Sequence, residues 1–174
     1  DPDAAIYWLA RMLAGGADPL YVTRRLMILA AEDIGLANES ALNLAVAAHH
    51  AVAAIGLPEA AIPLAEAVIG LAVSPKSNAV YKAFSSAMSD AVESGSLEVP
   101  VHLRNAPTGL ARQLGHGRGY RYAHDEPGGY TPGQTYLPDV LAGRRYYAPV
   151  DSGLESRIRE KLARLRAELE PDET

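Results

Sequence analysis

Cysteine is absent from the 174 residues. The fold therefore carries no disulfide, and it needs none, because a chain of this length removes roughly two-thirds of its unfolded surface from water. That absence suits a reducing cytosol. A signal-peptide pattern is lacking too. The longest apolar run, Ala41–Leu57, is broken by Asn43, His49 and His50 and is too short and alanine-rich to span a membrane. A soluble, cytoplasmic chain without membrane contact is the expectation. Also missing are a GxxxxGK[ST] loop, a GxSxG elbow, a cysteine nucleophile and paired carboxylates placed in one cleft, so no enzyme is expected from these residues alone. Basic residues are in deficit, 16 against 21 acidic for a net charge of −5, which argues against a generally basic nucleic-acid-binding protein. No internal repeat and no low-complexity segment are present.

Helical signals fill the first half. Asp3 is read as the cap of a first helix with Ile6, Leu9, Ala10 and Leu13 on its buried face, ended by Gly15 and Gly16. Asp18 before Pro19 starts a second helix that runs to about Ala31, with Val22, Leu26 and Leu29 inward and Arg24 and Arg25 outward. A third opens at Asn38 or Ser40. Its apolar residues, Leu42, Ala45 and Val46 on one side and Leu44, Ala48, Ala51, Val52 and Ile55 on another, describe a helix buried nearly all round. Pro63 is placed in the first turn of a fourth helix that carries Leu64, Ala67, Val68 and Leu71, because an interior proline costs about 3 kcal/mol. Ser74 and Pro75 start a fifth, whose inward stripe is Val80, Phe84, Ala87, Met88 and Ala91 and whose end is Gly95.

The texture changes at Val99–Tyr122. Pro100, Pro107, Gly109, Gly115, Gly117 and Gly119 punctuate the backbone, and Arg104, Arg112, Arg118 and Arg121 occur there with no acidic residue among them. Short extended runs near Val99–Leu103 and Tyr136–Leu137 could pair locally, and a brief helix is expected from Thr108 to Leu114 with Gly115 as its stop. Tyr120–Tyr147 reads as one long irregular loop holding six of the nine tyrosines. A loop of that length is functional, wraps a neighbour or is disordered, and its aromatic content argues against disorder. A last helix follows from about Gly153 to Glu168, with Leu154, Ile158, Leu162, Leu165 and Leu169 in one stripe and Glu155–Arg159 and Glu160–Arg164 as i, i+4 pairs.

Two readings of the basic residues stay open. Arg104, Arg112, Arg118, Tyr120, Arg121, Tyr122, Arg144 and Arg145, extended by Lys76 and Lys82, fit a single-stranded nucleic acid or an acidic partner, arginine meeting phosphate and rings stacking on bases. Alternatively the arginines bridge to carboxylates of the same fold or a neighbouring subunit while the tyrosines pack the loop down. His102, His116 and His124 with Asp125 and Glu126 match no compact ligand spacing, so they are read as hydrogen-bonding residues and no metal is assigned. His49 or His50 is expected to bond a backbone carbonyl or to lie at an interface.

The segments DPDAAIYWLARMLAGGADPLYVTRRL from Asp1, AAEDIGLA from Ala30, SPKSNAVYKAF from Ser74, VPVHLRNAPT from Val99 and GHGRGYRYAHDEPGGY from Gly115 carry a family resemblance over essentially the whole chain. It resembles the C-terminal domain of the replication-associated recombination AAA+ ATPases, the RarA/MgsA family that includes the eukaryotic Werner helicase-interacting protein. The resemblance implies an all-α helical bundle like the clamp-loader collar, with a long Tyr/Gly/Pro-rich loop before the last helix. It implies one oligomerisation domain over residues 1–174: a helical core at 1–95, an Arg/Tyr-rich irregular segment at 96–150 and a C-terminal helix at 151–170. It further implies homo-oligomerisation, commonly as a tetramer, and association of the whole protein with DNA, single-stranded DNA-binding protein and the nucleoid. ATP and magnesium would bind only in an N-terminal ATPase core and lid lying outside these residues. The chain also opens at Asp1 without an initiator Met and starts a helix at once, as expected of a piece of a longer protein.

Overall fold

The computed structural model describes residues 1–126 and 129–167. Seven α-helices occur among them, and no strand: α1 Pro2–Ala14, α2 Pro19–Leu29, α3 Ala41–Ile55, α4 Ala61–Val73, α5 Ala79–Ser94, α6 Gly109–Gln113 and α7 Leu154–Ala167. The all-α class is the one expected. The chain divides into two compact units, one of Asp1–Ser85 with Tyr147–Arg159 and another of Ser86–Tyr146 with the residues from Glu160 onward.

Local chemistry explains most helix ends. Asp1, not Asp3, caps α1: its Oδ1 accepts from the backbone N–H of Asp3 at 3.0 Å and of Ala4 at 3.1 Å, and Pro2 takes the first helical position. Asp3 sits instead in the first turn, where a carboxylate favours the helix dipole. Asp18 caps α2 as expected, accepting from Leu20 N–H at 2.9 Å. The regular part of α2 ends at Leu29, and a five-residue π turn, Ala30–Ile34, continues it. Asn38 sets the entry to α3 through its Oδ1, which accepts from Ser40 N–H at 3.1 Å. Pro63 lies in the first turn of α4. α5 starts at Ala79, later than Ser74–Pro75 implied. Ser74 has another task, since its hydroxyl donates back to Gly70 O at 2.7 Å while Ser77 Oγ receives the Ala79 N–H at 3.1 Å. Thr108 caps α6 by accepting from Ala111 N–H at 3.1 Å, and Gly115 follows with φ +84°.

In the first unit the core is built from small aliphatic side chains. One cluster joins Leu9, Val22, Val52, Ala60, Leu64 and Val68; a second joins Ala30, Ile34, Ala41, Ala45 and Leu71, with Leu26 against both. The four residues expected inward on α4 are all buried. The stripes of α1, α2 and α3 need correction. On α1, Ala10 is exposed and Ala5 packs on the core in its place; on α2, Leu29 is exposed and Thr23 is buried. On α3 only Ala41, Ala45, Ala48 and Val52 are buried, while Leu42 and Ile55 face out. Alanine seats α3 close to its neighbours, so one narrow stripe suffices and the remaining apolar surface has no partner within the unit.

The stripe expected inward on α5 is the clearest reversal. Val80, Phe84, Met88 and Ala91 are exposed, whereas Ala79 and Asp90 are buried. A 3.6-residue period marks an apolar face; it does not say what covers that face. The extended runs do not pair as strands either. Val101–Leu103 is a 3₁₀ turn, and the link to the later run is a side chain, His102 Nε2 to Thr135 O at 2.8 Å. On α7 Leu154, Ile158, Leu162 and Leu165 are half-buried as expected; Leu169 lies outside the described residues.

Candidate interaction surfaces

In the second unit most of the arginine cluster is consumed by the chain itself. Arg104 donates from Nε to Val99 O and from a terminal nitrogen to Glu98, both at 2.6 Å. Arg121 grips Glu126 with two nitrogens, at 2.8 and 2.7 Å, and gives a third hydrogen bond to Pro132 O at 2.8 Å. Arg144 meets the buried Asp90 carboxylate side-on, each oxygen 2.9 Å from a guanidinium nitrogen, and Tyr146 donates its hydroxyl to the same carboxylate at 2.9 Å. That bond and the nearby negative charge hold the Tyr146 phenol above its usual pKa. A paired guanidinium has already spent the donors that a phosphate would need.

The remaining candidates differ. Arg112 and Arg118 are exposed and make no ion pair among the described residues, and Tyr120 and Tyr122 present about half their surface. The Tyr122 ring lies 5.0 Å from His124. Arg145 is exposed and engaged within the chain. Lys76 and Lys82 belong to the first unit. Lys76 closes the end of α4, donating from Nζ to Leu71 O and Ser74 O at 2.7 Å each, while Lys82 is exposed and makes no ion pair among the described residues.

Of the histidines, His102 and His49 make hydrogen bonds, His102 through Nε2 to Thr135 O at 2.8 Å. No three His, Asp or Glu side chains gather around a metal-sized site among the described residues. His49 bonds a side chain rather than the expected carbonyl: its Nδ1 is 2.7 Å from Thr23 Oγ1, which also lies 2.9 Å from Leu20 O. A hydroxyl has one proton, so if Thr23 gives it to Leu20 the Nδ1 of His49 must be the donor.

Two buried carboxylates organise the segments around them, and neither stood out in the sequence. Asp90 anchors Arg144 and Tyr146. Glu155, at 0% exposure, accepts from Ser77 Oγ at 2.8 Å, Val150 N–H at 2.9 Å and Tyr147 Oη at 3.0 Å. It does not pair with Arg159, as its spacing had suggested. Arg159 reaches Asp151 at 3.1 Å, and bonds from Ser156 and Arg159 hold the Asp151 carboxyl below its ordinary pKa. Desolvation first, and the Glu155 bond second, push the Tyr147 phenol up to about 12. Nearby, Leu29, Asp33, Lys76, Ser77, Asn78 and Val150 line an open cavity of about 650 Å³.

The outward faces of several helices are apolar to an unusual degree. The chain has one tryptophan and one phenylalanine; Trp8 is 63% exposed and Phe84 66%. Along α5 the exposed residues Tyr81, Phe84, Met88 and Val92 follow the i, i+3, i+7, i+11 rule of a single face. Scattered exposed apolar residues need no explanation, but a continuous run of large ones marks an interaction surface. No helix among the described residues is long and apolar enough to cross a membrane.

The family model described as "MgsA AAA+ ATPase C terminal" matches residues 1–166. Replication-associated recombination protein A of Coxiella burnetii is 53% identical over 93% of the chain and 37% of its own length. The protein of the same name from Escherichia coli K12 is 50% identical over 93% of the chain and 36% of its own length. ATPase WRNIP1 of Dictyostelium discoideum is 38% identical over 84% of the chain and 17% of its own length. The chain thus spans little more than a third of the bacterial relatives it matches.

Proposed function

The chain belongs to the family of C-terminal domains of MgsA-type AAA+ ATPases, found in replication-associated recombination proteins, and from that premise we propose that it gathers copies of the parent ATPase into a homo-oligomer, a tetramer as the family resemblance implies. The observation that carries this reading is the exposed face of α5, Tyr81, Phe84, Met88 and Val92. A face of that composition gains by meeting a second copy, since burial of apolar surface is worth roughly 25 cal/mol per Å². Assembly gives each ATPase module the neighbours' grip on DNA, and linkage of this kind raises avidity by about 10² to 10⁴ without a new contact. ATP and magnesium belong to the remaining length of the parent protein, and DNA and single-stranded DNA-binding protein are partners of the assembly as a whole.

Light scattering after gel filtration tests the reading. A mass of several chains at tens of micromolar, reduced by Phe84→Glu with Met88→Glu, supports it; a monomer overturns it. Both positions are exposed, so the substitutions leave the fold intact.

A second reading, direct contact with single-stranded DNA, rests on Arg112, Arg118, Tyr120 and Tyr122, exposed residues whose arginines make no ion pair among the described residues. It expects oligonucleotide binding with a steep salt slope, lost largely in Arg112→Ala with Arg118→Ala. Binding indifferent to that pair excludes this surface.

A further inference from the structure

Two outward helix faces of the first unit each hold one unpaired charge among apolar side chains, and the two charges are opposite. On α1, at 100° per residue, Tyr7, Trp8 and Arg11 share the outward side, flanked by Met12. The Tyr7 and Trp8 rings touch edge to face with centroids 5.5 Å apart. On α4, Ile62, Glu66, Ile69 and Val73 follow the i, i+4, i+7, i+11 spacing of a single stripe, opposite the buried Leu64, Ala67, Val68 and Leu71. Ile62 is 74% exposed and Val73 63%. Arg11 and Glu66 are exposed too, and neither makes an ion pair among the described residues.

The two faces cannot serve each other within one chain. α1 and α4 already pack together through their opposite sides, where Leu9 joins Leu64 and Val68 in one cluster with Ile6 and Leu13 against it, so the outward faces point away from one another. A second copy supplies both complements at once, an aliphatic stripe for Trp8 and a carboxylate for Arg11. Aromatic residues, Met and Arg are enriched at interface centres, and Trp, Tyr and Arg supply most hot spots. A charge desolvated in such a contact is costly unless its opposite meets it. The match of Arg11 to Glu66 therefore selects α1 against α4 over α1 against α1 or α4 against α4, either of which brings like charges into one interface.

We propose that the Tyr7–Trp8–Arg11–Met12 face of α1 in one copy seats on the Ile62–Glu66–Ile69–Val73 face of α4 in another, with Arg11 paired to Glu66 of the partner subunit. This rests on the homo-oligomer reading and adds to the α5 face a second contact, made between unlike surfaces. An α5 face that meets its own copy closes a dimer and stops there; a further, different contact is what carries assembly beyond two chains.

Sedimentation velocity of the full-length protein over a concentration series tests the pairing by charge exchange. Arg11→Glu and Glu66→Arg, both at exposed positions, are each expected to weaken assembly about tenfold and to leave a smaller species. The double variant restores opposite charges and is expected to return to within about threefold of the parent. Arg25→Glu, a reversal at an exposed arginine of α2, is expected to leave the mass as it was. A single reversal without effect, or a double variant no better than either single one, overturns the proposal. A mass that falls in Phe84→Glu with Met88→Glu yet ignores the Arg11 and Glu66 changes overturns it while the homo-oligomer reading stands. A parent protein that is monomeric throughout overturns both.

Discussion

Removing the Glu155 carboxylate strands three donors, and their different freedoms set the size of the effect. In Glu155→Ala the hydroxyls of Ser77 and Tyr147 can turn toward other acceptors. The Val150 N–H cannot turn, but its bond is only part-buried, so the loss of its acceptor costs about 1 kcal/mol, the low end for a stranded donor. Loss of two hydrogen bonds to a charged acceptor and the void left by the side chain bring the total to about 3–5 kcal/mol. Glu155→Gln keeps the shape. With its amide nitrogen in place of the oxygen facing Tyr147, it donates to that hydroxyl while its own oxygen keeps Ser77 and Val150, so it is expected to cost only about 1 kcal/mol. Urea unfolding followed by far-UV circular dichroism and Trp8 fluorescence reads both variants. For a chain of this length the alanine variant is expected to melt on the order of 10 °C lower. An alanine variant within about 1 kcal/mol of the parent, or a glutamine variant as damaged as alanine, refutes the view of Glu155 as a satisfied buried acceptor.

Other outcomes follow from single sites. Gly153 has φ +55°, and a Cβ there would collide with the Ala37 carbonyl oxygen and the Pro75 ring. Gly153→Ala is expected to cost about 2–4 kcal/mol in thermal or urea unfolding. Gly153→Asn should do no better, since tolerance of positive φ does not remove the collision. In an alkaline titration of phenolate absorbance, the tyrosine missing from Tyr147→Phe should be one that ionises at about 12. The folded value lies above the unfolded value of about 10, so the stability contributed by Tyr147 is complete below pH 10 and declines as the pH rises toward 12. Arg144→Ala leaves Asp90 with the Tyr146 hydroxyl as its remaining partner and should cost about 1–2 kcal/mol; a double-mutant cycle with Tyr146→Phe should be non-additive because both share one carboxylate.

The helix ends legible in the sequence were those set by neighbours in the chain. Asp18 before Pro19, Thr108 three residues ahead of Ala111, and Gly115 after α6 act over one turn, so the residues themselves contain the geometry. The start of α5 was misread because Ser74 spends its hydroxyl on Gly70 and leaves the capping to Ser77, a choice made by the end of α4. Glu155 shows the same limit. Its spacing to Arg159 satisfied a local rule, yet the carboxylate turns inward to Ser77 and Tyr147. The arginine stretch looked free of acid because the partners of Arg104 and Arg121, Glu98 and Glu126, lie outside Val99–Tyr122. On α5 the period was right and the direction wrong: an apolar face turned outward has the same pattern as one turned to the core.

The bond between Ser77 and Glu155 also orders events in time. Its two ends are 78 residues apart in the chain, and the unit they close consists of an early stretch and a late one. A ribosome adding about 5–20 residues per second finishes the first stretch several seconds before the second emerges. During that interval the contacts that the late stretch brings to Ser77, Ala37 and Pro75 are still missing. Ser77 therefore has no Glu155 acceptor until the late stretch has been made.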